Sequence, residues 1–261
     1  MSRKIEAVIF DWAGTTVDYG CFAPVEAFRQ AFAEAGIQPT TEEIRQPMGL
    51  SKRTHVQTMF AMPRITALWQ EAYGRSWTEE DVDQVYQRSE EIILALLPDF
   101  ADPIPHVLDA VTRLRDRGIK IGSTTGYNDE MMAIVVPAAE KAGYVPDCWF
   151  SADSTGKIGR PYPYMIFRVL EALQVSSVGA AVKVGDTVAD IKEGQNAGLI
   201  TVGVIEGSSL MAFSKGEYEA LTPDQQRSEM NRVRKAYTDC GADYVIQNMG
   251  ELPGLIEDLE K

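Results

Sequence analysis

The sequence predicts an α/β fold in which an all-helical segment is inserted into a Rossmann-like parallel sheet. Three observations support this class. The apolar run Ile5 to Phe10 is short and rich in β-branched and aromatic residues, as in a buried strand, and it ends at Asp11. About eighty residues that follow show helical spacing and no strand pattern. From Pro105 onwards, strand and helix patterns alternate, which is typical of a parallel sheet with crossover helices.

Two links rich in turn-forming residues bound the helical segment. The first runs from Asp18 to Pro24, and the second, from Leu97 to Pro105, contains three prolines. Because glycine and proline interrupt regular structure, such links mark domain boundaries. The sequence therefore predicts a core made of residues 1–19 and 100–261, with a helical cap domain at residues 20–99 inserted between the two parts.

Hydrophobic spacing and capping residues place the individual elements. In the insertion, the predicted helices cover residues 25–35, a segment starting at Thr41, 51–59 and 78–96, with Thr78 as an N-cap. In the core, helices are predicted at 105–117, 129–142, 163–173, after Asp186 and around 223–237. Strands are predicted at 119–124, 148–150, 180–184, 200–205 and 243–246.

Composition and charge restrict the classes of function. The chain has 261 residues, of which 45% are hydrophobic and 24% charged, as in globular proteins. Its net charge of −13 argues against nucleic acid or an anionic membrane surface as a partner. Cys21, Cys148 and Cys240 are too scattered for a disulfide framework, which favours reduced thiols. No window reaches the roughly 18 apolar residues of a membrane span, and no leader pattern follows Met1. We therefore expect a cytoplasmic protein.

Four loop segments carry reactive side chains, at residues 11–15, 123–126, 157–160 and 185–190. Because the carboxyl ends of parallel strands meet at one edge of a sheet, where ligands bind, we expect these segments to meet. Together they supply a carboxylate nucleophile, hydroxyl groups, a cation and two further carboxylates, which phosphoryl transfer requires. Each also has an ordinary interpretation, since aspartate at a strand end is a common turn former and surface cations are usually solvated.

The first of these segments is the most distinctive. Gly14 permits a tight turn, and Thr15 and Thr16 offer hydroxyl and N–H groups to an anion. The loop Asp-Trp-Ala-Gly-Thr resembles the nucleophile loop of the haloacid dehalogenase superfamily, and the order of the four segments and the place of the insertion resemble that superfamily too. The resemblance implies a core of the haloacid dehalogenase type.

The resemblance also assigns a nucleophile and a metal site. It implies that Asp11 attacks phosphorus and becomes an aspartyl phosphate. Asp11, Asp186 and the backbone carbonyl of Ala13 would bind Mg²⁺, a cation that prefers oxygen ligands. Asp190 would orient metal-bound water or nearby backbone, or it would be a simple capping or surface acid.

The phosphate-binding residues follow from the same resemblance. Thr125 matches the hydroxyl residue of the second motif, and Gly49 matches a position that binds the phosphate-bearing substrate. Arg160, which we expect to open a helix beside Pro161, is the candidate cation, with Lys157 as the alternative.

Position 13 departs from the superfamily pattern, Asp-x-Asp-Gly-Thr. The usual second aspartate protonates the leaving oxygen of a phosphate ester and then activates water. Ala13 has no group for either role, although its backbone carbonyl remains available to a metal. Two explanations stay open: the protein is an inactive member, or its leaving group is not an alkoxide.

Lys52 favours the second explanation. It starts a predicted helix, where the positive end of the helix dipole disfavours a cation. A lysine so placed should lose its proton more readily, as an amine must before it condenses with a carbonyl. His55 would share the helix face and could transfer protons. A solvated lysine and an unremarkable helical histidine are the ordinary alternatives.

Residues 48–55, Met-Gly-Leu-Ser-Lys-x-x-His, together with Ala13, resemble the branch of the superfamily that cleaves phosphonates. The resemblance implies that Lys52 forms a Schiff base with phosphonoacetaldehyde, whose C–P bond is then hydrolysed to acetaldehyde and phosphate. It also implies Mg²⁺ as the cofactor and a homodimer joined through the cap. The alternatives are a phosphomonoesterase or phosphomutase of the same superfamily, a receiver-like phosphoacceptor domain and a non-catalytic binding module.

Overall fold

A six-stranded parallel sheet forms the core of the computed structural model, which describes residues 4–261. The strands are β1 (Ala7–Phe10), β2 (Lys120–Thr124), β3 (Cys148–Phe150), β4 (Ala181–Gly185), β5 (Ile200–Val204) and β6 (Tyr244–Ile246). Their order in the sheet is β3-β2-β1-β4-β5-β6, and every neighbouring pair is parallel. The predicted class is therefore confirmed. Met1 to Arg3, part of the predicted core segment 1–19, lie outside the described residues.

Five helices follow β1 before the next core element. They are α1 (Phe22–Glu34), α2 (Thr41–Arg45), α3 (Lys52–Phe60), α4 (Pro63–Tyr73) and α5 (Glu79–Leu96). Thr78 caps α5 by accepting a hydrogen bond from the N–H of Asp81, as predicted. We call these five helices the helical insert. Its boundaries at residues 19/20 and 99/100 remain a prediction.

Seven helices connect and cover the strands. They are α6 (Val107–Asp116), α7 (Asp129–Lys141), α8 (Tyr164–Ala172), α9 (Val188–Ala197), α10 (Lys215–Ala220), α11 (Pro223–Asp239) and α12 (Leu252–Leu259). Helices α4, α10 and α12 were not predicted from the sequence, and the predicted start of α1 is three residues too late. Among residues 4–261, no helix has the length and apolar character needed to cross a membrane.

The central strands are apolar because both faces of the sheet are covered. Val8 and Phe10 of β1 belong to a large buried cluster that continues into the helical insert. Ala7 and Ile9 point to the other face, where they pack with Ile166 and other buried residues of a second cluster. This two-sided burial explains a continuous apolar strand instead of an alternating one.

The two links of the helical insert lie side by side at the carboxyl end of β1. Val17 forms an isolated antiparallel bridge with Pro103, and the N–H of Ile104 donates to the carbonyl of Thr16 at 2.9 Å. The insert therefore leaves and rejoins the core at one place, immediately beyond the end of β1.

Candidate active site

Three strand ends converge on one small cavity. Asp11, Thr125 and Asp186 each follow the last residue of a strand, and β1 lies between β2 and β4 in the sheet. The cavity measures about 20 Å³, which is room for one water molecule. Its lining combines the core with the helical insert: Asp11, Ala13, Cys21, Met48, Gly49, Lys52, Thr125, Gly126, Tyr127, Arg160 and Thr187. Residues of the core and of the helical insert therefore line the same space.

A buried carboxylate cluster adjoins this cavity. Asp11, Asp186 and Asp190 each offer an oxygen, and these oxygens lie within 4.8 Å of one another. The first loop packs tightly against Asp186: a Cβ atom on Gly14, whose φ is +85°, would lie 2.3 Å from Asp186 Oδ2. Burial and the charges of Asp11 and Asp190 raise the pKa of Asp186 well above its usual value.

Thr15 and Thr16 do not present free groups to an anion, which corrects the sequence-based expectation. The hydroxyl of Thr15 donates to Asp186 Oδ1 at 3.0 Å, and that of Thr16 donates to the carbonyl of Asp11 at 3.0 Å. Both backbone N–H groups donate to the carbonyl of Trp12. These threonines therefore fix the loop and orient Asp186.

The structure places Arg160, and not Lys157, beside Asp11. The side chain of Arg160 is only 1% exposed, and its Nη2 donates to Asp11 Oδ1 at 2.7 Å. Lys157 is exposed on the surface. Arg160 does not open a helix as expected, because α8 begins only at Tyr164. Nη1 of Arg160 is buried without a hydrogen-bond partner among the described residues.

Asp190 is buried, so the expectation of a surface acid is wrong and that of a capping acid is right. Its Oδ2 accepts from the hydroxyl of Thr187, the N-cap of α9, at 2.5 Å. Its Oδ1 lies 3.0 Å from both Arg160 Nη2 and Lys183 Nζ. Burial acts to raise the pKa of Asp190, but the charges of Arg160 and Lys183 lower it.

Sequence reasoning missed the residues behind Arg160. Lys183 and Glu193 are fully buried, and Glu193 Oε2 lies 2.9 Å from Arg160 Nε and 3.4 Å from Lys183 Nζ. Thr124 joins them by donating its hydroxyl to Glu193 at 3.0 Å. The available signal was a lysine in the otherwise apolar strand β4, since lysine is almost never fully buried unless paired.

Lys52 is the first residue of α3, as predicted, and it is buried in the cavity wall. Its Nζ lies 4.8 Å from the centroid of the Tyr127 ring and 5.8 Å from that of Phe28. Burial lowers the pKa of Lys52 below its ordinary 10.5. The neutral amine, which is the nucleophilic form, is thereby favoured.

His55 lies behind Lys52. Its ring is fully buried, is stacked on Phe28 with centroids 4.1 Å apart, and places Nε2 2.8 Å from the carbonyl of Ile44. Because that carbonyl accepts, we assign the proton to Nε2, which leaves Nδ1 as an acceptor. Burial and the charge of Lys52 lower the pKa of His55 well below 6.5. The imidazole is therefore neutral, and it is not among the described residues that line the cavity.

Two other lining residues carry no proposed role in the sequence analysis. Cys21 and Tyr127 are both buried, and burial raises the pKa of each well above its usual value. They therefore present an un-ionised thiol and an un-ionised phenol to the cavity that contains Lys52.

The charges around the site do not balance. Among the described residues of this network, three buried carboxylates (Asp11, Asp190 and Glu193) pair with two buried cations (Arg160 and Lys183). A fourth buried carboxylate, Asp186, lies beside Asp11 and Asp190 and forms no ion pair with these cations. Burial of uncompensated charge is costly. The site is therefore suited to a divalent cation, for which the clustered carboxylate oxygens are appropriate hard ligands.

The comparisons with known proteins agree with this architecture. A family model described as haloacid dehalogenase-like hydrolase matches residues 5–198. A nucleophile-like aspartate at the end of β1, beside a carboxylate cluster and under a helical insert, is thus the site of a hydrolase of this class.

Close relatives are known by name. The chain is 50% identical over 258 residues to the phosphonoacetaldehyde hydrolase of Bacillus cytotoxicus, an alignment that covers 99% of this chain and 97% of the relative. It is 48% identical, with the same coverage, to the phosphonoacetaldehyde hydrolase of Bacillus anthracis. The chain therefore belongs to the phosphonoacetaldehyde hydrolase family of the haloacid dehalogenase-like hydrolases.

Solved structures show the same fold. A phosphonoacetaldehyde hydrolase-like protein from Oleispira antarctica superposes with a TM-score of 0.95 at 35% identity, covering 99% of this chain and 94% of that one. A β-phosphoglucomutase from Clostridium difficile has a TM-score of 0.69 at 18% identity, covering 98% and 97%. The second likeness concerns the fold alone.

Proposed function

We propose that this enzyme hydrolyses the C–P bond of phosphonoacetaldehyde through a Schiff base on Lys52 and an aspartyl phosphate on Asp11. One observation carries the proposal: the buried lysine Lys52, Asp11 and Ala13 line the same small cavity. The names of the relatives support the substrate.

The first step joins the substrate to Lys52. The neutral amine attacks the aldehyde carbon, and loss of water with uptake of one proton gives a protonated imine. Burial favours the neutral amine before this step. His55, with Nδ1 free to accept, is the candidate for moving protons during imine formation and hydrolysis.

The second step breaks the C–P bond. A carboxylate oxygen of Asp11 attacks phosphorus, and the electron pair of the C–P bond passes into the imine to form a neutral enamine. No alkoxide leaves in this step, so no acid is needed to protonate a leaving oxygen. The absence of an acid at Ala13 is consistent with this. Arg160 is held beside Asp11 with Nη1 unpaired, so it is placed to donate to a phosphoryl oxygen, and Thr125 lines the same space.

The remaining steps return the enzyme to its starting form. The enamine takes a proton on carbon and becomes the imine of acetaldehyde. One water molecule hydrolyses the aspartyl phosphate to release phosphate, and a second hydrolyses the imine to release acetaldehyde and free Lys52. Two waters are consumed and one was released on condensation, so the net reaction is a hydrolysis.

A magnesium ion would be held by Asp11, Asp186 and the Ala13 carbonyl, supported by Asp190. When bound, the ion would neutralise charge on the phosphoryl group. The excess of buried carboxylates supports this assignment, and Asp186, aligned by Thr15 and the N–H of Ser209, is the best-oriented of them.

We propose that the helical insert moves when the substrate enters. The cavity of about 20 Å³ beside Asp11 is too small for a phosphonate, so this space must widen. The adjacent links near Gly20 and Pro103 are the proposed hinges. A homodimer formed through the insert and a cytoplasmic location remain predictions.

The test is to mix the protein with phosphonoacetaldehyde and Mg²⁺ and to assay acetaldehyde and phosphate together. Both products should appear in equal amounts and disappear with a chelator. Asp11→Asn, whose amide is a poor nucleophile, should keep the fold and lose at least about a thousandfold in turnover. Release of phosphate from sugar phosphates but not from phosphonoacetaldehyde would favour the phosphomonoesterase alternative.

A further inference from the structure

We propose that Glu193 is a positioning residue for Arg160: it holds the guanidinium so that one N–H edge stays free for the phosphoryl group. This inference rests on the proposed function, because it concerns how the phosphoryl-binding cation is presented. Glu193 lies in α9, outside the four sequence segments that were predicted to form the site.

The three nitrogens of the Arg160 guanidinium differ in their hydrogen-bond partners. Nε donates to Glu193 Oε2 at 2.9 Å. Nη2 donates to Asp11 Oδ1 at 2.7 Å and to the carbonyl oxygen and hydroxyl oxygen of Thr124, both at 3.0 Å. Nη1 is buried and has no partner among the described residues. Because the guanidinium is planar, two fixed nitrogens determine where the third one points.

Without Glu193, a different arrangement would compete. Arginine and carboxylate prefer a bidentate pair with two parallel hydrogen bonds. Both Asp11 and Asp190 lie within 3.0 Å of Nη2, so a freely rotating guanidinium would pair both of its terminal nitrogens with one of these carboxylates. That pairing would consume Nη1. Because Glu193 holds Nε of Arg160, only Nη2 pairs with Asp11, and Nη1 stays free.

Glu193 is itself firmly held. It is fully buried in α9, and its Oε2 also accepts from the hydroxyl of Thr124 and lies 3.4 Å from Lys183 Nζ. Lys183 Nζ donates to the same Thr124 hydroxyl oxygen at 2.9 Å. These contacts fix Oε2 of Glu193 as an acceptor, so the carboxylate holds Nε of Arg160 in one place.

The proposal is tested with Glu193→Gln and two separate readouts. The first is phosphoryl recognition, measured as kcat/KM for phosphonoacetaldehyde and as inhibition by inorganic phosphate. The second is trapping of acetaldehyde on Lys52 by borohydride, which involves no phosphoryl group. We expect kcat/KM to fall about ten- to a hundredfold and phosphate inhibition to weaken about tenfold, with the trapping rate within about twofold of wild type.

A double-mutant cycle connects the effect to Arg160. Arg160→Lys keeps the charge but has no Nε, so adding Glu193→Gln to it should cost little more activity. Asp243→Asn is the control, since Asp243 is an exposed carboxylate outside this network that accepts from Thr201 at 2.8 Å. It should leave both readouts unchanged. If Glu193→Gln fails to fold, Glu193→Asp, which withdraws the carboxylate by one methylene, should show the same selective loss.

The outcomes are distinguishable. If wild-type protein neither turns over phosphonoacetaldehyde nor traps acetaldehyde, the proposed function fails. If wild type does both and Glu193→Gln is normal in kcat/KM, the positioning role is wrong. The positioning role is also wrong if Glu193→Gln weakens phosphate inhibition and acetaldehyde trapping equally. It is wrong too if the separate losses of activity in Glu193→Gln and Arg160→Lys multiply in the double mutant.

Discussion

A Cβ atom added to Gly49 would lie 2.3 Å from the hydroxyl oxygen of Thr187, so the helical insert and the core meet here in direct contact. Gly49 belongs to the insert, and Thr187 is the N-cap of α9 in the core. Both residues line the small cavity. This contact therefore requires the absence of a side chain at position 49.

Gly49→Ala should impair closure more than folding. The added methyl group clashes only when the insert lies on the core, so kcat/KM should fall about tenfold or more. Gly49 also has a φ of +89°, at which alanine costs about 1–2 kcal/mol in any case. Steady-state kinetics and thermal melting measure the two effects.

Gly36→Ala is the matched control for this strain. Gly36 lies in the same insert with a φ of +74°, and a Cβ atom there would have nothing within 4 Å. It should lose comparable stability and keep its activity. If both variants lost activity equally, contact between positions 49 and 187 would not be what limits closure.

Asp186 and Asp190 should respond differently to substitution. Asp186→Asn should weaken Mg²⁺ binding about tenfold or more in isothermal titration calorimetry, because a ligand loses its charge. Asp190→Asn should mainly lower the melting temperature, because Lys183 and Arg160 then lose a buried partner. If both variants lost Mg²⁺ affinity equally, Asp190 would be a direct ligand of the ion, as Asp186 is proposed to be.

Ala13→Asp tests whether the missing acid matters. The new carboxylate would enter a cavity beside a network that already holds an excess of buried carboxylates. We expect kcat/KM for phosphonoacetaldehyde to fall about tenfold, while Ala13→Asn, a neutral side chain of similar size, should lose less. Faster cleavage by the aspartate variant would show that the native reaction does need an acid at this position.

Much of the fold was predictable because its signals are local. Apolar runs such as 181–185 fix the strands, and Thr78 fixes the start of α5. Helix α4 was missed because it follows α3 after only two residues and its N-cap, Met62, provides no capping side chain. Helix α10 was missed because it has only six residues and is mostly polar.

The site was predictable where reactive side chains follow strands, as Asp11 and Asp186 do. The order of the strands brings those ends together, so spacing along the chain was sufficient. Glu193 and Lys183 were not predictable, because their roles depend on burial and on contacts between segments far apart in the sequence. For the same reason, Thr15 and Thr16 were predicted to bind an anion, whereas their hydroxyl groups donate to Asp186 and to the carbonyl of Asp11.

Asp18 should make stability depend on pH. Its carboxylate accepts from the N–H groups of Phe22 (2.9 Å) and Ala23 (3.1 Å) at the start of α1. Burial raises its pKa from 3.8 to about 7, despite those bonds and the charges of Lys52 and Arg45. Because the folded-state pKa is the higher one, the stabilisation is complete below about pH 4 and is lost as pH rises to about 7.

Asp18→Asn removes this titration while its amide oxygen can still accept a hydrogen bond. The melting temperature of the variant relative to wild type should therefore rise between about pH 4 and about pH 7. Scanning calorimetry of the two proteins measures it. Asp99→Asn, which changes an exposed carboxylate within the second link, is the control for the loss of one carboxylate. A flat difference for Asp18→Asn would contradict the prediction.

The last prediction concerns the covalent role of Lys52. Burial lowers the pKa of this lysine, so at neutral pH it should condense with acetaldehyde while solvated lysines remain protonated. Borohydride added with acetaldehyde should then inactivate the enzyme and leave an ethyl group on Lys52, located by peptide mass spectrometry. Borohydride alone should have no effect. Lys52→Arg keeps a charge but forms no imine, so it should bind inorganic phosphate without turning over phosphonoacetaldehyde. Lys192→Arg, at an exposed position on α9, should behave as wild type. An adduct on another lysine, or an active Lys52→Arg variant, would show that the C–P bond is cleaved without this Schiff base.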